Sequence, residues 1–525
     1  MTEPEGRPPS ETTRADTGHG RPAGPGHGGL EEGVASPPHH PPSGPAPVPP
    51  GDDQLRRDSL GVAAITFFVI SAAAPLTAVA GGVPISMLLG NGAGIPAAFL
   101  LVTALLLVFA KGYVAMARHV TSAGAFYALV ARGLGGVAGG AAALVAILSY
   151  NAMQIGVFAM FGSAASGLAA SASLQAPWWA FTGAGIACVA VLGYRRVDLS
   201  ARILTLLVIA EYVVVLAIDA AIVARGGAHG LTLASFEPSH FMSGSPAIGV
   251  LFCFAAFIGF EATTIYSEEA RAPERTVPRA TYLSVILIGA LYAATSWLMV
   301  NAVGADSLVP GLQALGDPTR FFFEVGGRYV GGWLPPVMRV LFVTSLFAGV
   351  LAFHNGVARY MYVAGRERLL PAWLGRTHRV YQSPHAASVV QTILAALVTA
   401  GFAAAGQDPV LGVFTWLTNV GTLGIIVLMA LASFAALFFF RSNRSLEPGV
   451  VATLACPAAS GVALAIVIVA TVIHFDRLTG TSGWLGSVLP GLVLAAAVAG
   501  ALLAWRLKQH RPADFARLGA PRRQA

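Results

Sequence analysis

Residues 254–280 read FAAFIGFEATTIYSEEARAPERTVPRA. The stretch opens as a membrane helix, with Phe254, Phe257, Ile258 and Phe260 set among small residues. Gly259 and Glu261 then fall near mid-bilayer, and past Ser267 the segment becomes a cluster of mixed charges. A carboxylate is expensive at that depth, and glycine weakens a helix interior. Both make sense if the helix is broken here and lines a cavity. Only there is free backbone tolerated inside a bilayer.

Composition agrees with a membrane setting. The 525 residues are 55% hydrophobic and 11% charged, with a mean hydropathy of +0.68. Soluble domains carry about 25% charged residues. A bilayer core takes about 20 helical residues to cross. Twelve runs of that kind are expected, at 60–89, 93–117, 136–168, 177–194, 199–224, 245–267, 281–304, 336–364, 386–405, 410–440, 449–473 and 485–506.

With the N-terminus inside, 27 of the 32 Lys and Arg residues fall on cytoplasmic loops and tails. The expected location is therefore a cell membrane, multi-pass, with both termini cytoplasmic. The net charge of +7 becomes a topology signal with anionic lipid as its partner, and nucleic acid is not expected. Residues 1–55, rich in Pro, Gly and His, read as a disordered tail. Cys188, Cys253 and Cys456 all lie in apolar runs, with neither disulfide nor metal spacing.

The first span reads ITFFVISAAAPLTAVAGGVPISMLLGNGAG, with Pro75 near its centre. Proline removes a backbone donor and clashes with the carbonyl four residues back. The helix is expected to stop before Pro75 and restart on it. A kink at Pro75 or a packing contact at Gly259 would explain either helix alone. Two interrupted helices five spans apart point instead to two inverted units with a site at the midplane between them.

Three ordered motifs then carry a resemblance. FIGFEATTIYSEEARAPERTVPRA resembles the sixth-helix signature of the amino acid–polyamine–organocation permeases. GYVAMARHVTSAGAFYALVARGLGG is similar to that family's region between helices two and three, and ARYMYVAGRERLLPAWLGRTH to the stretch after helix eight. The resemblance implies an all-α integral membrane protein with a five-plus-five inverted repeat, broken helices one and six, and two further helices. Its expected boundaries are 56–235 for the first repeat, 236–440 for the second, 441–507 for the last two helices and 508–525 for a cytoplasmic tail. One departure is visible. The family's first break is rich in glycine, whereas this one reads Ser71, Ala72, Ala73, Ala74, Pro75, Leu76, Thr77.

A half-helix starting at Pro75 offers the N–H groups of Leu76 and Thr77 to an anion. The first half of helix six ends in carbonyls near Phe257, Ile258 and Gly259. Opposed in one cavity, the two suit a zwitterion, and the resemblance implies that a substrate carboxylate binds at the first break. Phe254 and Phe257, with Phe260, would wall the cavity or simply pack. Asn151 and His354 are assigned to it because helices three and eight line the family's site. Trp416 and Asn419 read as interhelical contacts. Two intramembrane acids, Glu211 and Glu261, are the candidates for binding and releasing a coupling proton. Glu268 and Glu269 read as a cytoplasmic gate with Arg271 and Arg275.

Sodium-driven members of this fold need oxygen ligands between helices one and eight. Helix eight offers no Ser or Thr near His354, with Thr344 and Ser345 further out, so a proton is the expected coupling ion. The function expected is secondary active transport of amino acids by alternating access, as proton symport. Exchange of an amino acid for its amine, and polyamine uptake, remain open readings of the same fold. No cofactor or metal is expected. No nucleophile–base pair, metal cluster or phosphate loop supports an enzyme, and neither tail has the composition of a soluble sensor domain.

Overall fold

The computed structural model describes residues 61–519, apart from 73, 121–124, 196–200, 266–269, 382, 444, 447–448 and 480–483. Its elements are helices. In chain order those that build the site are α1 (Val62–Ala72), α2 (Thr77–Leu89), α3 (Ile95–Ala117), α4 (Ala125–Leu134), α5 (Gly136–Ser171), α6 (Trp178–Arg195) and α7 (Ala201–Arg225). They continue with α8 (Pro246–Phe257), α9 (Ala262–Ile265), α10 (Pro273–Val303), α11 (Leu334–Arg366), α12 (His385–Ala404), α13 (Pro409–Ser442), α14 (Cys456–Ile473), α15 (Leu485–His510) and α16 (Pro512–Phe515).

Among the described residues nine helices are long and apolar enough to cross a membrane. Three of the expected spans fall outside that nine for identifiable reasons. The runs at 60–89 and 245–267 are interrupted, so each yields only short helices. The third, α6, is just 18 residues long and ends in Tyr194 and Arg195.

Both interruptions have local causes. The residue before a proline is pushed out of the helical region, and Ala74 takes φ 44°, in the left-handed region. For alanine that conformation costs about 1–2 kcal/mol. Pro75 then brings no N–H, and the chain re-enters helix through a wide π-helical stretch, Thr77–Gly82, before Val83–Leu89. At the second break Ile258 is extended (φ −59°, ψ 129°) and Gly259 has φ 115°. Only glycine adopts that value without strain.

The core is built around α5, whose middle, from Ser149 to Met160, is buried. It packs on α15, α13, α11, α4 and α6, while α10 packs on α3. Small residues let backbones approach. A Cβ added to Gly140 of α5 would stand 2.6 Å from the carbonyl oxygen of Gly500 in α15, closer than real Cβ contacts come. The halves of the two broken helices pair crosswise: α1 against α9, and α2 against α8. That pairing brings the two breaks side by side.

Candidate functional site

The first break is held from α7 and α11. Oε2 of Glu211 accepts the backbone N–H of Leu76 at 3.1 Å and the hydroxyl of Ser345 at 2.8 Å. Thr77 Oγ1 donates to Ser345 Oγ at 3.0 Å. Glu211 is buried, as are Pro75 and Leu76. The start of α2 therefore does what a helix N-terminus does and attracts a carboxylate, here one supplied by the chain itself. Tyr212 and Tyr292 stand near enough for electrostatic interaction with Glu211.

The second break is held from α3 and α5. Glu261 accepts the N–H of Gly259 through Oε2 at 2.9 Å and the Tyr150 hydroxyl through Oε1. Tyr113 of α3 reaches Thr264 Oγ1 at 2.6 Å and lies 3.2 Å from the Glu261 carbonyl oxygen. Tyr150 in turn stacks on Tyr360 of α11, with centroids 5.3 Å apart. Glu261 is thus a staple across the bend it follows. The left-handed turn at Gly259 is what brings its own N–H onto the carboxylate two residues on.

The phenylalanines are packed. Phe257 meets Phe99 and Tyr292, and Phe260 meets Phe109 edge-on. Phe254, Phe257 and Ile258 border an apolar space with Leu106, Thr422 and Met429 that is too tight for a water molecule.

Asn151 donates to the carbonyl of Ile147 at 2.8 Å, and its buried Oδ1 finds no partner among the described residues. Asn419 repeats the pattern, donating to the Thr415 carbonyl at 2.7 Å with its own Oδ1 unpaired among the described residues. His354 makes its hydrogen bonds to Gln154 at 3.3 Å and to Ser388 at 2.7 Å. Gln391 donates to Gln154. His354 thereby links α11 to α5 and α12. Of the residues expected at the first break, Ala73 lies outside the described residues, as do the side chains of Ser71 and Ala72; so do Glu268 and Glu269 of the expected cytoplasmic gate.

Two partners went unread in the sequence. Ser345, noted as lying further out than His354, is the helix-eight residue that meets the first break. Tyr150 was legible only as one polar residue on α5. The available signal was that Glu211 and Glu261 are acids in apolar runs, and a buried acid demands donors.

A model of one protein family, described as amino acid permease, matches residues 60–495. The branched-chain amino acid permease BcaP of Bacillus subtilis (strain 168) is 24% identical over 405 residues, covering 73% of this chain and 81% of that protein. The low-affinity putrescine importer PlaP of Escherichia coli (strain K12) is 29% identical over 280 residues, 51% of this chain and 58% of that one. An uncharacterized transporter of Mycobacterium tuberculosis (strain ATCC 25618 / H37Rv) is 27% identical over 48% of this chain and 53% of its own length. The chain thus spans little more than half of several curated relatives it matches. The fold is similar to that of a crystallised Eremococcus coleocola manganese transporter, with TM-score 0.56, 11% identity and coverage of 89% of this chain and 99% of that one. With the match running over most of its length, this chain belongs to the amino acid permease family, a family of membrane permeases and not of enzymes.

Proposed function

We propose that the chain is a secondary transporter of amino acids, coupled to protons through Glu211. The supporting observation is the hydrogen bond from Leu76 N–H to Glu211. The N–H groups at the start of α2 are the natural receptor for a substrate carboxylate, and Glu211 holds one of them. Two carboxylates at one N-terminus repel and compete for the same donor. A charge-assisted hydrogen bond is roughly twice as strong as a neutral one. Protonating Glu211 therefore weakens its hold on Leu76 and removes the repulsion. Substrate and proton then favour each other's binding, and by linkage the effect is reciprocal. That is the thermodynamic requirement for symport.

The Oδ1 of Asn151, unpaired among the described residues, is the acceptor proposed for the substrate ammonium, and the carbonyls at Phe257 and Ile258 are its neighbours across the break. The architecture proposed with this reading has twelve spans. The inverted repeats occupy 56–235 and 236–440, the last two helices follow, and both termini face the cytoplasm.

A second reading has a specific basis, the similarity to a putrescine importer. A polyamine has no carboxylate, so it would use ionised Glu211 or Glu261 as counter-charge. The two readings have opposite pH signs. Amino acid uptake gains from a protonated Glu211, and amine uptake loses by it. Uptake of labelled amino acids and of putrescine into proteoliposomes, at several pH values, separates them. Amino acid uptake that rises with an inward proton gradient supports symport. Uptake that needs substrate inside the vesicle supports exchange.

A further inference from the structure

Away from the breaks, a groove of about 410 Å³ runs between the end of α6 and the start of α12. Its lining mixes two chemistries. Val191 and Ile393, both about half exposed, are apolar. Tyr194, Arg195, Tyr381 and Ser388 bring polar groups. The rim is rigid. The Tyr194 ring meets His378 at 5.4 Å and His385 at 6.1 Å, and Ser383 donates to the Tyr194 carbonyl at 2.7 Å.

The rim is also strongly positive. Arg195 is exposed and has no carboxylate partner among the described residues. Arg376 and Arg379 are exposed in the loop that leads to Tyr381. The sequence has no Asp or Glu at all between 59 and 197, nor between 369 and 407. Arg195, Arg376 and Arg379 thus lie in stretches of sequence poor in acids.

We propose that this groove is a binding site for an anionic phospholipid, with one acyl chain along Val191 and Ile393 and its phosphate at Arg195. The two-part chemistry selects the occupant. A free anion has no use for the apolar side chains, and a neutral lipid has none for the arginines. A volume of 410 Å³ holds a stretch of one acyl chain. The groove also connects inward, because Ser388 bonds His354, which bonds Gln154 of α5. An occupied groove would brace α6 and α12 against the helix that carries Tyr150.

The test is native mass spectrometry of the full chain in neutral detergent, titrated with phosphatidylglycerol or phosphatidylcholine. The expected result is one tightly retained phosphatidylglycerol and markedly less phosphatidylcholine. Arg195→Gln should lower that retention roughly fivefold, as for the loss of one basic residue at a membrane surface. Ile393→Trp, which puts a bulkier side chain into the groove, should abolish it. Arg320→Gln, at a remote exposed arginine, should leave it unchanged, and equal thermal midpoints confirm that the variants are folded. Equal retention of the two lipids, or undiminished retention in Arg195→Gln, overturns the proposal. So does displacement of the lipid by inorganic phosphate, or a change of oligomeric state in Ile393→Trp with lipid retention intact.

Discussion

The carboxylate of Glu211 stands 3.1 Å from the backbone nitrogen of Leu76, 135 residues away along the chain. An acid from α7 closes the helix end created by Pro75. Ser345 of α11 and Thr77 complete the arrangement. Three helices thus meet at one backbone N–H, and the charge on one side chain decides how strongly that group is held.

Gly259→Ala forces a Cβ into a conformation with φ 115°, at a cost of about 1–3 kcal/mol. The thermal unfolding midpoint in detergent should fall accordingly. Ala74→Gly acts in the opposite sense. It relieves the left-handed strain at φ 44°, and the midpoint should hold or rise.

Tyr150→Phe removes the hydroxyl that Glu261 accepts and leaves a buried carboxyl oxygen without that donor. Hydrogen bonds to charged groups contribute about 1.5–3 kcal/mol, so a stability loss of that order is expected, together with slower transport. Tyr113→Phe, which removes a contact to the backbone and to Thr264, should cost less. Thermal midpoints and initial uptake rates of the two variants provide the comparison.

Beyond the membrane span, Glu367 accepts the N–H of Gly519 at 3.0 Å, tying the segment after α16 to the end of α11. Arg132 donates to the Gly519 carbonyl at 3.2 Å. Burial pushes the Glu367 carboxyl up from 4.5 to about 7, and the Gly519 hydrogen bond opposes the rise only in part. The folded chain binds the proton more tightly than the unfolded one. The contribution of Glu367 to stability is therefore full below pH 4.5 and is lost as pH rises through about 7. Hydrogen exchange of residues 512–519, corrected for intrinsic rates, should show protection falling across that window. Glu367→Gln should flatten the dependence.

The breaks were legible because proline and glycine act locally. Pro75 ends a helix whatever surrounds it, and Gly259 before Phe260 and Glu261 marked the second interruption. What holds the breaks was not legible. Glu211 meets Leu76, and Tyr150 meets Glu261, across 135 and 111 residues of chain. Such pairings come from how helices rotate and slide against one another, which hydropathy does not encode. The same limit applies to His354. The resemblance assigns it to the cavity because helix eight lines the family's site, and its bonds to Gln154 and Ser388 could not be read from sequence. Phe254, Phe257 and Phe260 read equally as wall or packing, and only the structure shows that Phe257 and Phe260 meet other rings.

Uptake into proteoliposomes under an imposed pH gradient, comparing the parent protein with Glu211→Gln, tests the coupling most directly. Gln keeps the size and an acceptor oxygen for Leu76 but cannot titrate. The parent protein should accumulate amino acid against its gradient when the outside is acidic, without sodium. Glu211→Gln should lose that accumulation while still exchanging labelled for unlabelled substrate at equal pH. Accumulation in the variant equal to that of the parent protein, or a strict sodium requirement in the parent protein, would contradict proton coupling at Glu211.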